Sequence, residues 1–388
     1  MTKVLFVSND PSIFDETSAA RARMRAYAAA IAAPSEASSE GMGELHIVSP
    51  APFSAREVAD GPLSLHPVHA WKFLRMRALT KRARALVLAH GIEVVSAQDP
   101  FEQGVAALAA IEGTKAKLHV QVHTDFLSPW FVRAGNWRSP AVRMPVLNRI
   151  RRTYADEVLP KAAGIRVVSE RVKDSLVAHY AGRIVTPTVI PVAVSGELPP
   201  PVALPAHQFT FALITVGRLE PEKRIEDILA ALALVVSRYP LAGLFVVGDG
   251  REKRKLVRMA KKLGLESHVV FLGNRPDALA LMQSAHAYIQ ASAYEGYGRT
   301  LVEAALAKIP IITTDVGIVG EVFKGYEDVL SVPVADPTAL SLAIVGLMED
   351  EAVRLELPQH AEETARAHLA SVGDLPSRIA EDLRRLAA

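Results

Sequence analysis

The 388-residue chain contains no cysteine, which excludes disulfides, thiol nucleophiles and thiolate-bound metals. It has no long apolar run either: nothing reaches the roughly 18 residues that a membrane-spanning helix needs. Val4–Val7 is too short for a secretory signal core and reads as a first strand. A cytoplasmic protein is the expectation. Glycine is missing where a dinucleotide-binding fold would need it. The segment after that first strand is SNDPSIFDETS, without the G-x-G-x-x-G fingerprint, and this disfavours a nicotinamide oxidoreductase. No D-x-D and no H-E-x-x-H occurs. A carboxylate pair that would hold a divalent metal against a diphosphate is therefore lacking, and no metal or other cofactor is expected.

The length suits two domains of ordinary size, and with half the residues hydrophobic and 22% charged the composition is that of a soluble globular protein. Charge is unevenly placed: residues 1–192 carry 24 Lys and Arg against 17 Asp and Glu, the remainder 20 against 25. A basic first half suits an anionic acceptor or an anionic membrane surface, such as the inner face of the cell membrane; ordinary drift between two domains explains it equally. In the first half Lys3–Ser8, Glu44–Val48, Val94–Ala97, Leu118–Val122 and Gly164–Val168 read as strands with helical patterns between most of them. That alternation predicts a doubly wound parallel α/β sheet. The proline-rich stretch 193–206 reads as a semi-rigid linker, after which the alternation restarts with Phe209–Val216. The expected organisation is a first domain over 1–192, a second over 207–368 and a terminal helical segment over 369–388.

The chemistry-bearing residues cluster at predicted strand ends, where an open parallel sheet binds its ligands. In the first half these are Asp99, in SAQDPF, and His123 and Asp125, in QVHTDF; a lone histidine at such a place is more often structural. The irregular stretch 127–148 follows, with Trp130, Phe131 and Trp137. The basic helix 71–88 carries an apolar stripe of Met76, Leu79, Ala83 and Leu86, with Arg77, Lys81 and Arg84 opposite. It fits a sheet-covering helix with a solvated face, or a face resting on anionic lipid.

In the second half, Gly217-Arg218-Leu219-Glu220-Pro221-Glu222-Lys223 follows a strand and precedes a helix, so Arg218 and Lys223 can clamp a diphosphate. The stretch Gln290–Gly317 reads as a strand end, a glycine loop with Gly296 and Gly298, a helix over 300–307 and the strand Ile311–Thr314. Its helix N-terminus favours an anion, while Glu295 and Glu303, eight positions apart, suit sugar or ribose hydroxyls. Thr300-Leu301-Val302-Glu303 also fits a capping box, in which Glu303 would serve the helix alone.

In order and spacing, G-R-L-x-x-x-K followed by E-x7-E resembles the family 4 retaining glycosyltransferases, which are enzymes of GT-B fold. The resemblance implies two Rossmann-like domains facing across a cleft and transfer of a hexose from a nucleotide-diphosphate sugar. The acceptor is unidentified; a lipid-linked sugar or a polysaccharide would suit carbohydrate or cell-envelope biosynthesis. It places Gly217, Arg218 and Lys223 on the diphosphate, Asn274 and Arg275 by the base, Glu295 on the sugar, and Gly298, Arg299, Thr300, Leu301 and Glu303 around phosphate and ribose. His123 matches a family histidine near the transferred sugar; Asp99, Asp125 and Trp130 fall to the acceptor side. Nucleic acid is not an expected partner. The resemblance also marks departures: the paired glycines common after the first strand are missing, Arg224 and Lys308 stand where the family commonly has glycine, and Ile318-Val319 replaces a small-residue turn before Glu321. A non-catalytic nucleotide-sugar sensor and a GT-B sugar epimerase or phosphorylase are the competing readings.

Overall fold

The computed structural model describes residues 2–34, 43–71, 74–132, 134–136, 139–143 and 146–387, with 134–136 and 139–143 described by backbone alone. The described chain forms two compact units that interleave in sequence. The first comprises residues 1–123, 146–191 and 374–388; the second comprises 124–145 and 192–373. Residues 124–145, expected within the first domain, group by spatial contact with the second unit.

The first unit runs β1 (Lys3–Val7), α1 (Ala19–Ala32), β2 (Glu44–Pro50), β3 (Val58–Asp60), β4 (Leu63–Val68), α2 (Arg75–His90), β5 (Val94–Ala97), α3 (Glu102–Ile111) and β6 (Lys117–Val122). A two-stranded antiparallel pair, β7 (Ala134–Asn136) and β8 (Ser139–Arg143), interrupts it. The unit resumes with α4 (Val146–Val158), β9 (Gly164–Val167), α5 (Glu170–Tyr180) and β10 (Thr188–Val189). Its sheet has the order β10-β9-β6-β5-β1-β2-β4-β3, parallel except for the β3–β4 hairpin at one edge. Strands β1 and β5 are mostly apolar and buried, as parallel strands covered by helices on both faces must be, and β2 adds the buried polar His46 and Ser49 to a similar run. The hairpin escapes the sequence reading because its two strands are short and Pro67 lies inside the second.

The second unit runs β11 (Phe211–Val216), α6 (Ile225–Val236), β12 (Ala242–Val247), α7 (Lys253–Lys262), β13 (Val269–Gly273), α8 (Ala278–Met282), β14 (Ala287–Gln290), α9 (Arg299–Leu306), β15 (Ile311–Thr314), β16 (Leu330–Val332), α10 (Pro337–Glu349) and α11 (Glu351–Val372). Its sheet is wholly parallel in the order β13-β12-β11-β14-β15-β16. The strand order reverses direction between β11 and β14, and the ends of those two strands carry the glycine loops. One core joins Leu213, Leu244 and Ile289 of the sheet to Ile228, Leu232 and Ile344 of the covering helices.

The last helix, α12 (Leu375–Ala387), belongs to the first unit. Its Ile379, Ala380 and Leu383 are buried with Met24, Ala28 and Ile31 of α1, and Arg384 donates to the carbonyls of Ala30 and Ala33 at the end of α1. Among the described residues no helix is long and apolar enough to cross a membrane.

Candidate active site

Strands β11 and β14 are hydrogen-bonded neighbours, so the loops at their carboxyl ends lie side by side. The first loop leaves β11 at Gly217 and packs tightly on the next one. A side chain on Gly248 would put its Cβ 1.9 Å from the Gly217 carbonyl oxygen, so Gly248 can only be glycine. This loop delivers Lys223. The second loop, after β14, delivers Glu295. Lys223 Nζ is ion-paired with Glu295 Oε1, and the Ser292 hydroxyl donates to the same oxygen at 2.7 Å. Ser292 is itself buried, and its carbonyl accepts from the Thr314 hydroxyl at 2.6 Å. Glu295 is thus held from two sides.

Helix α9 begins one residue earlier than the sequence suggests. Its cap is Gly298, at φ 98°, a left-handed conformation natural to glycine. The capping box on Thr300 does not form: Thr300 lies inside the helix, accepts from the Tyr288 hydroxyl at 2.8 Å and donates to Gln290 Oε1 at 3.2 Å. Glu303 pairs instead with Arg299, one turn back, at 2.7 Å. The capping reading of Glu303 is therefore corrected. Leu301 is buried and anchors the turn, its amide donating to the Gly298 carbonyl at 2.9 Å. Gln290, Lys223, Gly217 and Ser292 share a cavity of about 10 Å³, and among the described residues Gln290 Nε2 has no hydrogen-bond partner. The space is at the threshold for one water.

The departure at Arg224 keeps the backbone that glycine would have. Arg224 sits at φ 47°, caps α6 and is buried. Its guanidinium binds Asp227 at 2.5 and 3.1 Å and lies 5.4 Å from the centre of the Trp130 ring. Lys308 likewise takes φ 55° and reaches Glu362 at 2.8 Å.

The structure does not gather every expected residue around this pair. The Arg218 side chain is 79% exposed and 3.9 Å from Glu222; Lys223 is the cation joined to Glu295. Asn274 is exposed after β13, and Arg275 makes a two-pronged pair with Asp277 at 2.7 and 2.6 Å. Asp99 accepts from the Phe101 and Gln103 amides and caps the start of α3. Burial outweighs those bonds and pushes its pKa up to about 6. Asp125 closes a tight turn by accepting from the Ser128 amide, and Trp130 packs on Arg224 in the second unit. Trp137 lies outside the described residues. On α2, Leu79, Ala83 and Leu86 are buried, whereas Met76, expected in that stripe, is exposed. Arg77 and Lys81 are exposed; Arg84 donates to the Glu112 carbonyl at 2.7 Å.

His123 stands in the first unit at the end of β6, its Nε2 3.1 Å from Gln121 Oε1. The side chain has an exposed face, yet crowding by the surrounding protein and the cations Arg166 and Arg23 drive its pKa well down. The two cations favour the neutral imidazole at pH 7. Among the described residues no group of three or more His, Asp or Glu side chains is placed to hold a metal ion.

Two family models match, one described as glycosyl transferases group 1 over residues 206–368 and one as glycosyltransferase family 4 over residues 35–195, together most of the chain. The chain belongs to the family 4, group 1 glycosyltransferases. A relative, N-acetyl-alpha-D-glucosaminyl L-malate synthase of Bacillus anthracis, is 29% identical over 152 residues, 39% of this chain and 40% of that protein. The matches span about two fifths or less of the first curated relatives. Among solved structures, sucrose-phosphate synthase from Thermosynechococcus elongatus has a TM-score of 0.79 at 18% identity, covering 100% of this chain and 99% of that one. Anabaena HepE, solved with UDP and glucose, has a TM-score of 0.70 at 20% identity, covering 99% and 100%. The fold is GT-B. Ser292, Gln290 and Tyr288 also line the site, and none of them stands out from the sequence as a site residue. Ser292 stood inside the singled-out stretch, but nothing local tells that its hydroxyl turns to Glu295.

Proposed function

We propose that the chain transfers a hexose from a nucleotide-diphosphate sugar to an acceptor hydroxyl, with retention at the anomeric carbon and without a divalent metal. The observation that carries this is the Lys223–Glu295 pair at the carboxyl ends of two adjacent parallel strands, the place where open α/β sheets bind ligands. UDP in the solved structure of a protein of the same fold supports a nucleotide donor. In the transfer, the bond from the anomeric carbon to the phosphate oxygen breaks and a bond from that carbon to the acceptor oxygen forms. The acceptor proton passes to the leaving phosphate. Negative charge grows on that phosphate, and a fixed cation beside it stabilises the transition state more than the ground state. Lys223 takes this role, with Arg218 joining from the solvent side; Glu295, steadied by Ser292, orients the sugar.

The test is a thermal-shift panel of UDP-, GDP- and ADP-sugars, followed by slow hydrolysis of whichever stabilises the protein. One class should raise the melting temperature and be hydrolysed at an equal rate with EDTA. Stabilisation without hydrolysis or transfer supports the sensor reading. Turnover lost in EDTA and restored by magnesium or manganese overturns the metal-free route.

A further inference from the structure

Strand β6 reads K-L-H-V-Q-V, and the chain continues into His123. Successive strand residues face opposite sides, so His119, Gln121 and His123 share one face. That face is polar and, at His119 and Gln121, fully buried, which is tolerable only if each polar group is bonded. Register supplies the partners. Ser96 of β5 lies opposite His119, and Arg166 of β9 lies opposite Gln121. Asp382 of α12 reaches His119 Nε2 at 3.2 Å, and His119 Nδ1 is 2.8 Å from Ser96 Oγ. Ser96 Oγ accepts from Gln121 Nε2 at 3.0 Å. Gln121 Oε1 lies 2.9 Å from Arg166 Nη1 and 3.1 Å from His123 Nε2.

Serine, histidine and aspartate in this order are the members of a hydrolase triad. Here Ser96 is fully buried and its oxygen already bonded on both sides, so no substrate reaches it. The directions of the bonds carry a different meaning. A guanidinium only donates, so the Gln121 oxygen must face Arg166, and the amide cannot flip without setting donor against donor. Arg166 is itself pinned by the carbonyls of Ile190 and Pro191 at 3.0 and 2.7 Å. At the far end a carboxylate only accepts, so His119 gives its Nε2 proton to Asp382 and turns Nδ1 to the Ser96 oxygen. Both ends agree on one orientation. His123, neutral at pH 7 and facing a carbonyl-type oxygen, must donate from Nε2.

We propose that Gln121 is a positioning residue for His123: locked by Arg166 and Ser96, its amide oxygen holds the ring as the Nε2–H tautomer and leaves Nδ1 as the nitrogen that accepts from a substrate hydroxyl. The tautomer follows from this unit alone; the hydroxyl rests on the glycosyl-transfer reading above.

The test is nitrogen-15 NMR of the histidine rings at pH 7.5 in the full-length protein, its Gln121→Met variant (similar shape, no acceptor) and its Gln121→Glu variant (acceptor retained). Hydrolysis of UDP-glucose is measured alongside, with His123→Ala and the double variant Gln121→Met/His123→Ala. The expected results are Nε2–H in the wild type and Gln121→Glu, with the His123 pKa raised by at least one unit in Gln121→Glu, and mixed tautomers in Gln121→Met. Hydrolysis should fall about tenfold in kcat for Gln121→Met, with KM little changed, and no further when Gln121→Met is added to His123→Ala. Nδ1–H in the wild type, or an unchanged spectrum in Gln121→Met, overturns the proposal, as does an additive loss in the double variant. Should Gln121→Met fail to fold, an unmoved His123 pKa in Gln121→Glu overturns it instead. Hydrolysis untouched by His123→Ala would refute the substrate role of His123, and the spectra would still decide the tautomer.

Discussion

At the scale of single residues, the two cations of the β11 loop are in different situations, and their variants should separate. Lys223 is largely covered and joined to Glu295, whereas Arg218 is mostly in solvent. Lys223→Ala should cost on the order of 3 kcal/mol in the transition state, as loss of one aimed donor does in a closed site. Arg218→Ala should leave the melting temperature unchanged, since exposed substitutions stay within about 0.5 kcal/mol, and lower turnover less than Lys223→Ala. Steady-state kinetics beside thermal denaturation checks both. Glu303 is sharper, because its capping role is gone. It makes one partly exposed pair with Arg299, worth roughly 0.3–0.5 kcal/mol in a helix, so Glu303→Ala and Glu303→Gln should both fold normally. If Glu303 grips the ribose, each should weaken UDP binding by about 1.5–3 kcal/mol, the worth of a hydrogen bond to a charged group. Calorimetry with UDP alone reads this; unchanged affinity in both variants would remove Glu303 from the site.

At the scale of elements, Arg224 and Lys308 show how a helix end tolerates a side chain in a glycine conformation. A left-handed residue costs roughly 1–2 kcal/mol, and the two positions offset that cost differently. Arg224 is buried against Asp227 and Trp130. Arg224→Gly relieves the backbone but strands a buried carboxylate, a loss of about 3–5 kcal/mol, so the pair should win and the variant should be less stable by a few kcal/mol. Arg224→Gly/Asp227→Asn should recover much of the loss. Lys308 reaches Glu362 from the surface, with its own side chain 62% exposed. Such a pair is worth about 0–1 kcal/mol, so Lys308→Gly should change stability by no more than about 1 kcal/mol either way. Urea titrations of the four proteins decide between these outcomes.

At the scale of the whole molecule, stability should depend on pH through buried groups of opposite tendency. His46 and His66, 3.1 Å apart, are both held neutral chiefly by burial, His66 pushed down to about 4; Glu44 and Glu57 oppose this, while Lys3, Arg82 and His90 reinforce it. A histidine whose folded pKa lies below its unfolded value contributes stability above pH about 6.5 and loses it as pH falls toward the folded value. Asp99 runs the other way. Its raised pKa makes the folded state the better proton binder between about 4 and 6, so its contribution falls as pH rises through that window. The two effects partly cancel there, and the histidines, being more numerous, should prevail. Melting temperature should therefore drop between pH 6.5 and 4, and more steeply in Asp99→Asn, approaching at most ~1.4 kcal/mol per pH unit for each proton no longer offset. An equal or shallower slope in Asp99→Asn would contradict this account.

The sequence by itself determined the features that depend on neighbours along the chain. Val94–Ala97 and Ile311–Thr314 are strands at the residues their apolar runs mark. The loops holding Lys223 and Glu295 stand between strand and helix because glycine and proline end one element before the next begins. Arg224 stands out in the sequence only because the resembled family commonly has glycine there; that its backbone is left-handed, at φ 47°, belongs to the structure. Tertiary structure alone decided what depends on groups far apart. Thr300 had the spacing of a cap, but Tyr288 and Gln290 of the neighbouring strand claim its hydroxyl. Met76 had the right helical phase, yet it is exposed while Leu79, one turn later, is buried. The polar face of β6 looked like a few scattered histidines and a glutamine, and became a directed chain of hydrogen bonds once register brought Ser96 and Arg166 alongside and α12 returned Asp382 from 263 residues away. Periodicity constrains which side of an element a residue faces; what it meets there is set by packing, and hydrogen-bond direction follows only when every partner is in place.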